Sequence, residues 1–172
     1  MSRRDRDAAP EKTNALRILE SLGIKYRTIS YEVDEEDLSA AHAAAELGLD
    51  PDRVFKTLAL RGDRTGFFFC CIPGAAELNL KKAAAASGNK SVAMLPLKEL
   101  QPSTGYIRGG CSPIGAKKKF PVYIDETAQL FDEISVSAGR RGLQMLLAPA
   151  DLLRAAEEQP GGSAGAVFAD LV

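Results

Sequence analysis

One histidine and three cysteines among 172 residues leave little material for the commonest catalytic centres. His42 sits in an alanine-rich segment four residues before Glu46, the spacing of a pair on a helix surface, so no Ser-His-Asp or Cys-His set is evident. Cys70 and Cys71 are adjacent on an apolar run, where they cannot form an ordinary bridge, and with Cys111 they read as small, buried, reduced residues. No two thiols are separated by two to four residues, so no zinc site is expected, and no metal or organic cofactor is implied. Long apolar runs are also missing. Nothing approaches the roughly 18 residues that span a bilayer, and the charged start has no apolar signal core behind it, so a cytoplasmic protein without a membrane partner is expected. A net charge of −1 excludes the global positive field that draws proteins onto long nucleic acids. Any nucleic-acid partner must be gripped locally.

What is present is ordinary for a globular chain: 45% hydrophobic and 26% charged residues, enough for one domain with a sizeable core. Residues 1–11 carry mixed charge without periodicity and read as a disordered tail; residues 12–172 form the expected domain. Helices are expected from Thr13 to Leu22, from Ala40 to Leu47, from Asn79 to Ala86 and from Pro149 to Glu158, each marked by a cap, an end glycine or an N-terminal proline. A short helical turn is expected over Leu97 to Gln101. Strand patterns run through Ile24–Val33, Val54–Leu60, Phe67–Ile72, Val92–Leu95, Val122–Asp125, Ile134–Ser137, Leu143–Leu147 and Ala166–Leu171. Several are joined by turns too short for parallel crossovers, such as Gly62-Asp63-Arg64-Thr65-Gly66, which predicts an α+β domain with a mixed, largely antiparallel sheet.

Three stretches could carry chemistry. In Val54–Leu60, alternation puts Lys56 on the same face as Leu58 and Leu60, so the ammonium either looks into a pocket or reaches water from an edge position. Tyr31, at the tail of the preceding strand, belongs to the core or to a pocket rim. The run Gly105–Gly115, with Gly109, Gly110 and Ser112, can bring free amides close to an anion, or it is an irregular connection. The basic turn Ser137–Gly142, which includes Gly139, could line a phosphate or carboxylate site or simply close a hairpin. Lys117-Lys118-Lys119 reads as a solvated charge run.

Taken together, Val54-Phe55-Lys56-Thr57-Leu58, Leu80-Lys81-Lys82-Ala83, Ser103-Thr104-Gly105-Tyr106, Gly109–Gly115 and Ser137–Leu143 occur in an order that resembles the YbaK/ProX-type aminoacyl-tRNA deacylases. The match runs from Thr13 to Val172, and it is nearest the branch that removes cysteine from mischarged proline tRNA. The resemblance implies a six- or seven-stranded barrel-like sheet wrapped by helices, with the pocket beside the lysine strand. It implies that Lys56 anchors the terminal nucleotide or its phosphate and that Gly109 and Gly110 stabilise an oxyanion. Tyr31, Thr57, Ser112, Ser137 and Gly139 would contact substrate. It further implies that the substrate's own thiol attacks the ester, and that prolyl-tRNA synthetase is a candidate partner beside the aminoacyl-tRNA acceptor end. Two positions depart from the family pattern: Ala138-Gly139 stands where relatives often have two glycines, and Gln144 where some have an aspartate. These leave the amino acid removed open. Two rival readings stand beside this one: Cys111 as a nucleophile in the glycine-rich loop, and a non-catalytic module binding aminoacyl-tRNA or a synthetase through Lys117–Lys119 and Arg140-Arg141.

Overall fold

Three of the described α-helices begin where the chain offers a side-chain oxygen to cap them. In the computed structural model, which describes residues 12–161 and 164–172, Thr13 caps α1 (Asn14–Ser21), Ser39 caps α2 (Ala40–Leu47) and Asn79 caps α3 (Leu80–Ser87). The tail expected over residues 1–11 lies outside the described residues, as does Gly162. α4 (Leu97–Thr104) extends three residues past the expected turn, through Pro102, and α5 (Pro149–Glu158) starts on its proline.

Eight strands are described: β1 (Arg27–Ser30), β2 (Phe55–Gly62), β3 (Gly66–Pro73), β4 (Val92–Met94), β5 (Val122–Asp125), β6 (Ile134–Arg140), β7 (Leu143–Leu147) and β8 (Ala166–Ala169). They form two sheets, not one closed sheet of six or seven strands. The first has the order β1-β7-β6, and the second β4-β2-β3-β5-β8. The β2–β3 hairpin forms about the expected turn, with Phe55 opposite Pro73 and Gly62 opposite Gly66. β3, β5 and β8 run parallel to one another, the rest antiparallel. Among the described residues one isolated parallel bridge, Val54 to Ser135, joins the two sheets, and the barrel is not closed.

The main core lies between the sheets and helices, where α1 supplies Leu16 and Leu19, β5 supplies Val122 and Ile124, and β7 supplies Leu143, Met145 and Leu147. A smaller core on the other face of the five-stranded sheet joins Leu60, Phe68, Cys70 and Ile72 to Ala83 of α3 and to Leu171. Lys82, in the first turn of α3, reaches the Asp170 carboxylate at 2.9 Å and the Val172 carbonyl at 2.6 Å, so it anchors the last strand's end.

One consequence of the open barrel positions the site. β4 pairs with β2 only over Leu60–Gly62, and β6 touches this part of the chain at Val54. The Leu95 N–H donates to the Ala59 carbonyl at 2.9 Å, so Ala59 turns its backbone groups toward the β4 side. Antiparallel bonding alternates, and Thr57 therefore turns its N–H and C=O to the same side, at a point where no strand lies alongside. The sheet opens at Thr57.

Candidate active site

The gap at Thr57 is the floor of a cavity of about 490 Å³. Phe55 and Ala59 point into the main core and are almost fully buried, while Leu60 on the opposite face is buried in the smaller one. Lys56 shares the face of Leu60 but lies near the open edge, so it is only half-buried and lines the cavity. Its ammonium has no hydrogen-bond or ion-pair partner among the described residues. The Thr57 hydroxyl, also at the cavity, donates to Cys71 Sγ across the hairpin at 3.9 Å.

Five other groups of residues complete the walls. Tyr31, just past β1, is held by its N–H to the Gly142 carbonyl at 2.9 Å. Glu36, Asp37 and Leu38 form an acidic lip before α2; Leu95, Leu97 and Leu100 form an apolar wall; Arg108, Gly109 and Cys111 come from the glycine-rich loop; Ser137 and Gln144 face one another across β6 and β7. The cavity thus carries cations from Lys56 and Arg108 and carboxylates from Glu36 and Asp37. The hydroxyl and amide of Ser39 hold the Asp37 carboxyl below its usual range.

The structure separates the expected site residues into two groups. Lys56, Thr57, Tyr31, Gly109 and Ser137 come together at the cavity. Gly110, Ser112 and Gly139 do not line it. The Gly110 N–H is already committed to the Ile107 carbonyl at 2.9 Å, and a Cβ there would stand 3.1 Å from the Arg141 nitrogen, so Gly110 allows two loops to pack. Gly139, at φ +98°, makes room for the Tyr106 ring, 3.0 Å from where a Cβ would be. Ser112 is fully buried and its hydroxyl has no partner. The Gly109 N–H, like those of Ile107, Arg108 and Cys111, has no acceptor among the described residues, and Gly109 stands at φ +84°, which glycine adopts without strain.

Neither candidate protein nucleophile or base fits the cavity's chemistry. Burial pushes the Cys111 thiol up to about 12, so it stays protonated near neutral pH. His42 does not line the cavity, nor does it pair with Glu46. Its Nδ1 lies 4.0 Å from the Asp37 carboxylate, because the chain before the Ser39 cap turns back over the first turn of α2. The lysine run is likewise not a free charge run. Lys117 donates to the Pro102 carbonyl, and Lys119 to the carbonyls of Glu157 and Gln159, which leaves only Lys118 of the three without such a bond. Among the described residues no group of three or more His, Cys, Asp or Glu could hold a metal ion.

Sequence reasoning alone missed Arg108, Leu38 and the pocket position of Gln144. Arg108 was readable as the only cation between Gly105 and Gly115. Gln144 was readable as a polar residue within the apolar strand Leu143–Leu147.

The cavity thus combines a lysine without a partner among the described residues, a glycine-rich loop and a cysteine that burial keeps protonated. Residues 34–155 match the aminoacyl-tRNA editing domain. The chain is 52% identical over 143 residues to the candidate Cys-tRNA(Pro)/Cys-tRNA(Cys) deacylase EbsC of Enterococcus faecalis, covering 83% of this chain and 87% of that protein. The fold recurs in the crystal structure of a candidate trans-editing enzyme for prolyl tRNA synthetase, with TM-score 0.75 and 24% identity over 96% of this chain and 98% of that one. It recurs also in a hypothetical protein, APE2540, with TM-score 0.77 and 22% identity over 92% of this chain and 98% of that one. The chain belongs to the aminoacyl-tRNA editing domain family and is an aminoacyl-tRNA deacylase. No described helix is long and apolar enough to cross a membrane.

Proposed function

We propose that the enzyme edits in trans, removing cysteine from mischarged tRNA(Pro) in the cytoplasm. One observation carries this reading: Lys56, with no partner among the described residues, and Gly109 line the same cavity, yet burial keeps the cavity's one thiol protonated. An aminoacyl ester is already reactive, so orientation and stabilisation of the developing oxyanion supply most of what catalysis needs.

In this reading Lys56 holds the terminal nucleotide or its phosphate, a charge-assisted contact. Gly109 donates its amide to the ester oxygen as negative charge develops there. Ser137, Thr57 and Tyr31 position the aminoacyl group. The substrate's sulfur attacks its own ester carbonyl: a C–S bond forms, the ester C–O bond breaks, and the ribose oxygen takes the thiol proton. Water then opens the four-membered thiolactone to free cysteine. The name of the E. faecalis relative supports this choice of amino acid and tRNA. Prolyl-tRNA synthetase is the proposed partner that presents the tRNA, since so small a near-neutral chain grips only part of an acceptor end.

The experiment is a deacylation time course on cysteinyl- and alanyl-tRNA(Pro), with and without prolyl-tRNA synthetase. Loss of the cysteinyl ester alone is the expected result. Loss of the alanyl ester at the same rate would discard the thiol mechanism, and bound tRNA with both esters intact would discard the editing reaction.

A further inference from the structure

Gln144 sits on β7 directly opposite Ser137 of β6, is 6% exposed, and lines the cavity. Its carboxamide is held from one side. The hydroxyl of Ser135, itself 1% exposed, donates to Gln144 Oε1 at 3.0 Å. That bond also decides which way the amide faces. Ser135 Oγ donates to no other acceptor among the described residues, so turning the amide over would leave a hydroxyl proton shut away from water without a partner. Nε2 is therefore directed away from Ser135, and it has no acceptor among the described residues. The buried side-chain atoms left without a partner are His42 Nε2 and Ser112 Oγ. Gln144 Nε2 is not one of them, and Gln144 is one of the residues that line the cavity.

A donor fixed in a mostly apolar pocket discriminates sharply. A site built to donate to a substrate heteroatom rejects an analogue lacking that atom far more strongly than an apolar pocket rejects a missing methylene. Resting on the reading of this cavity as the aminoacyl pocket, we propose that Gln144 is a specificity-determining residue. Its Nε2 donates to the sulfur or oxygen on Cβ of the aminoacyl side chain, so that cysteinyl and seryl groups are held over alanyl. Because the donor is neutral, it selects for an acceptor without attracting or repelling charge.

The test separates binding from chemistry. tRNA(Pro) ending in 3′-amino-3′-deoxyadenosine, acylated through a stable amide with cysteine, serine or alanine, is titrated against wild type, Gln144→Met and Ser135→Ala. The wild type is expected to bind the cysteinyl and seryl forms about 5- to 150-fold tighter than the alanyl form, the worth of satisfying a buried donor. Gln144→Met is expected to erase that ratio, and Ser135→Ala to shrink it by freeing the amide. A ratio of affinities does not depend on the folded fraction, so partial unfolding of a variant leaves it readable. Equal wild-type affinity for the three forms, or an unchanged ratio in Gln144→Met, would overturn the assignment. Ester turnover on the ordinary charged tRNA, run in parallel, tells this failure from that of the editing reading: turnover without a ratio removes only Gln144, and no turnover of any ester removes both.

Discussion

The Tyr106 hydroxyl donates to the Ile114 carbonyl at 2.6 Å and so ties the two ends of the glycine-rich loop together. The Tyr106 N–H is in turn received by Thr104 Oγ1 at 3.0 Å, and Thr104 donates to the Leu100 carbonyl at 2.6 Å, fastening the loop to α4. Ser103-Thr104-Gly105-Tyr106, one of the stretches that carry the family resemblance, thus serves the site as a clamp and not as a contact. Tyr106→Phe deletes one donor and strands a carbonyl, so a loss of about 1–3 kcal/mol in stability is expected. If the clamp also sets the position of the Gly109 amide, kcat falls while KM moves little. Denaturant unfolding beside single-turnover deacylation measures both; normal kcat in a destabilised protein would confine the clamp to stability.

Lys56 has no hydrogen-bond or ion-pair partner among the described residues, so its removal should leave the fold alone. Lys56→Ala is expected to change stability by no more than about 0.5 kcal/mol. It should lower kcat/KM for deacylation on the order of 10- to 100-fold, the worth of a hydrogen bond to a charged group. Lys56→Arg, which keeps charge but not shape, should fall between. Turnover close to wild type in Lys56→Ala would remove the residue from the site.

Much of this site was readable from residue order because its key members break local rules. A lysine on the apolar face of β2 and a turn of Gly62-Asp63-Arg64-Thr65-Gly66 mark the hairpin and its odd residue with short-range information alone. The glycines show where such reading ends. Gly109, Gly110 and Gly139 look equivalent in a one-dimensional chain, yet one faces the cavity, one packs against Arg141 and one clears the Tyr106 ring. What fills the space above a glycine is a tertiary fact. The same holds for the strand over Ile24–Val33, of which only Arg27–Ser30 pairs, because β7 ends there. Whether the barrel closes depends on whether the two sheets pair beyond the Val54–Ser135 bridge, which no local pattern encodes.

His42 is placed outside the cavity, with Asp37 as its nearest charged neighbour at 4.0 Å. His42→Gln is expected to retain deacylase activity within about twofold, since the partly buried side chain stands outside the cavity and substitutions away from special contacts have small effects. Single-turnover deacylation by the two proteins under the same conditions makes the comparison. A folded but inactive His42→Gln protein would make the histidine a participant.

The three buried thiols give a prediction that needs no substrate. Burial pushes Cys70, Cys71 and Cys111 each up to about 12, from a usual value of 9. The proton is held more tightly in the folded chain than in the unfolded one, so below about pH 9 both states carry it and the thiols do not make stability pH-dependent. Above that, the unfolded chain releases protons that the native chain keeps, and the linkage slope becomes negative: stability falls with rising pH until the native thiols ionise. Urea midpoints measured from pH 8 to 11 should therefore decline, and the decline should be shallower in Cys70→Ala, which loses one of the three titrating groups. The same protonation argues against Cys111 as nucleophile. Cys111→Ser should keep deacylating within about threefold, because exchange of one small buried side chain for another disturbs packing only modestly, and iodoacetamide should modify the native thiol far more slowly than the unfolded one. A thiol that reacts rapidly at pH 7, together with an inactive Cys111→Ser protein that still folds, would restore the cysteine to the mechanism and take the attacking role from the substrate's own sulfur.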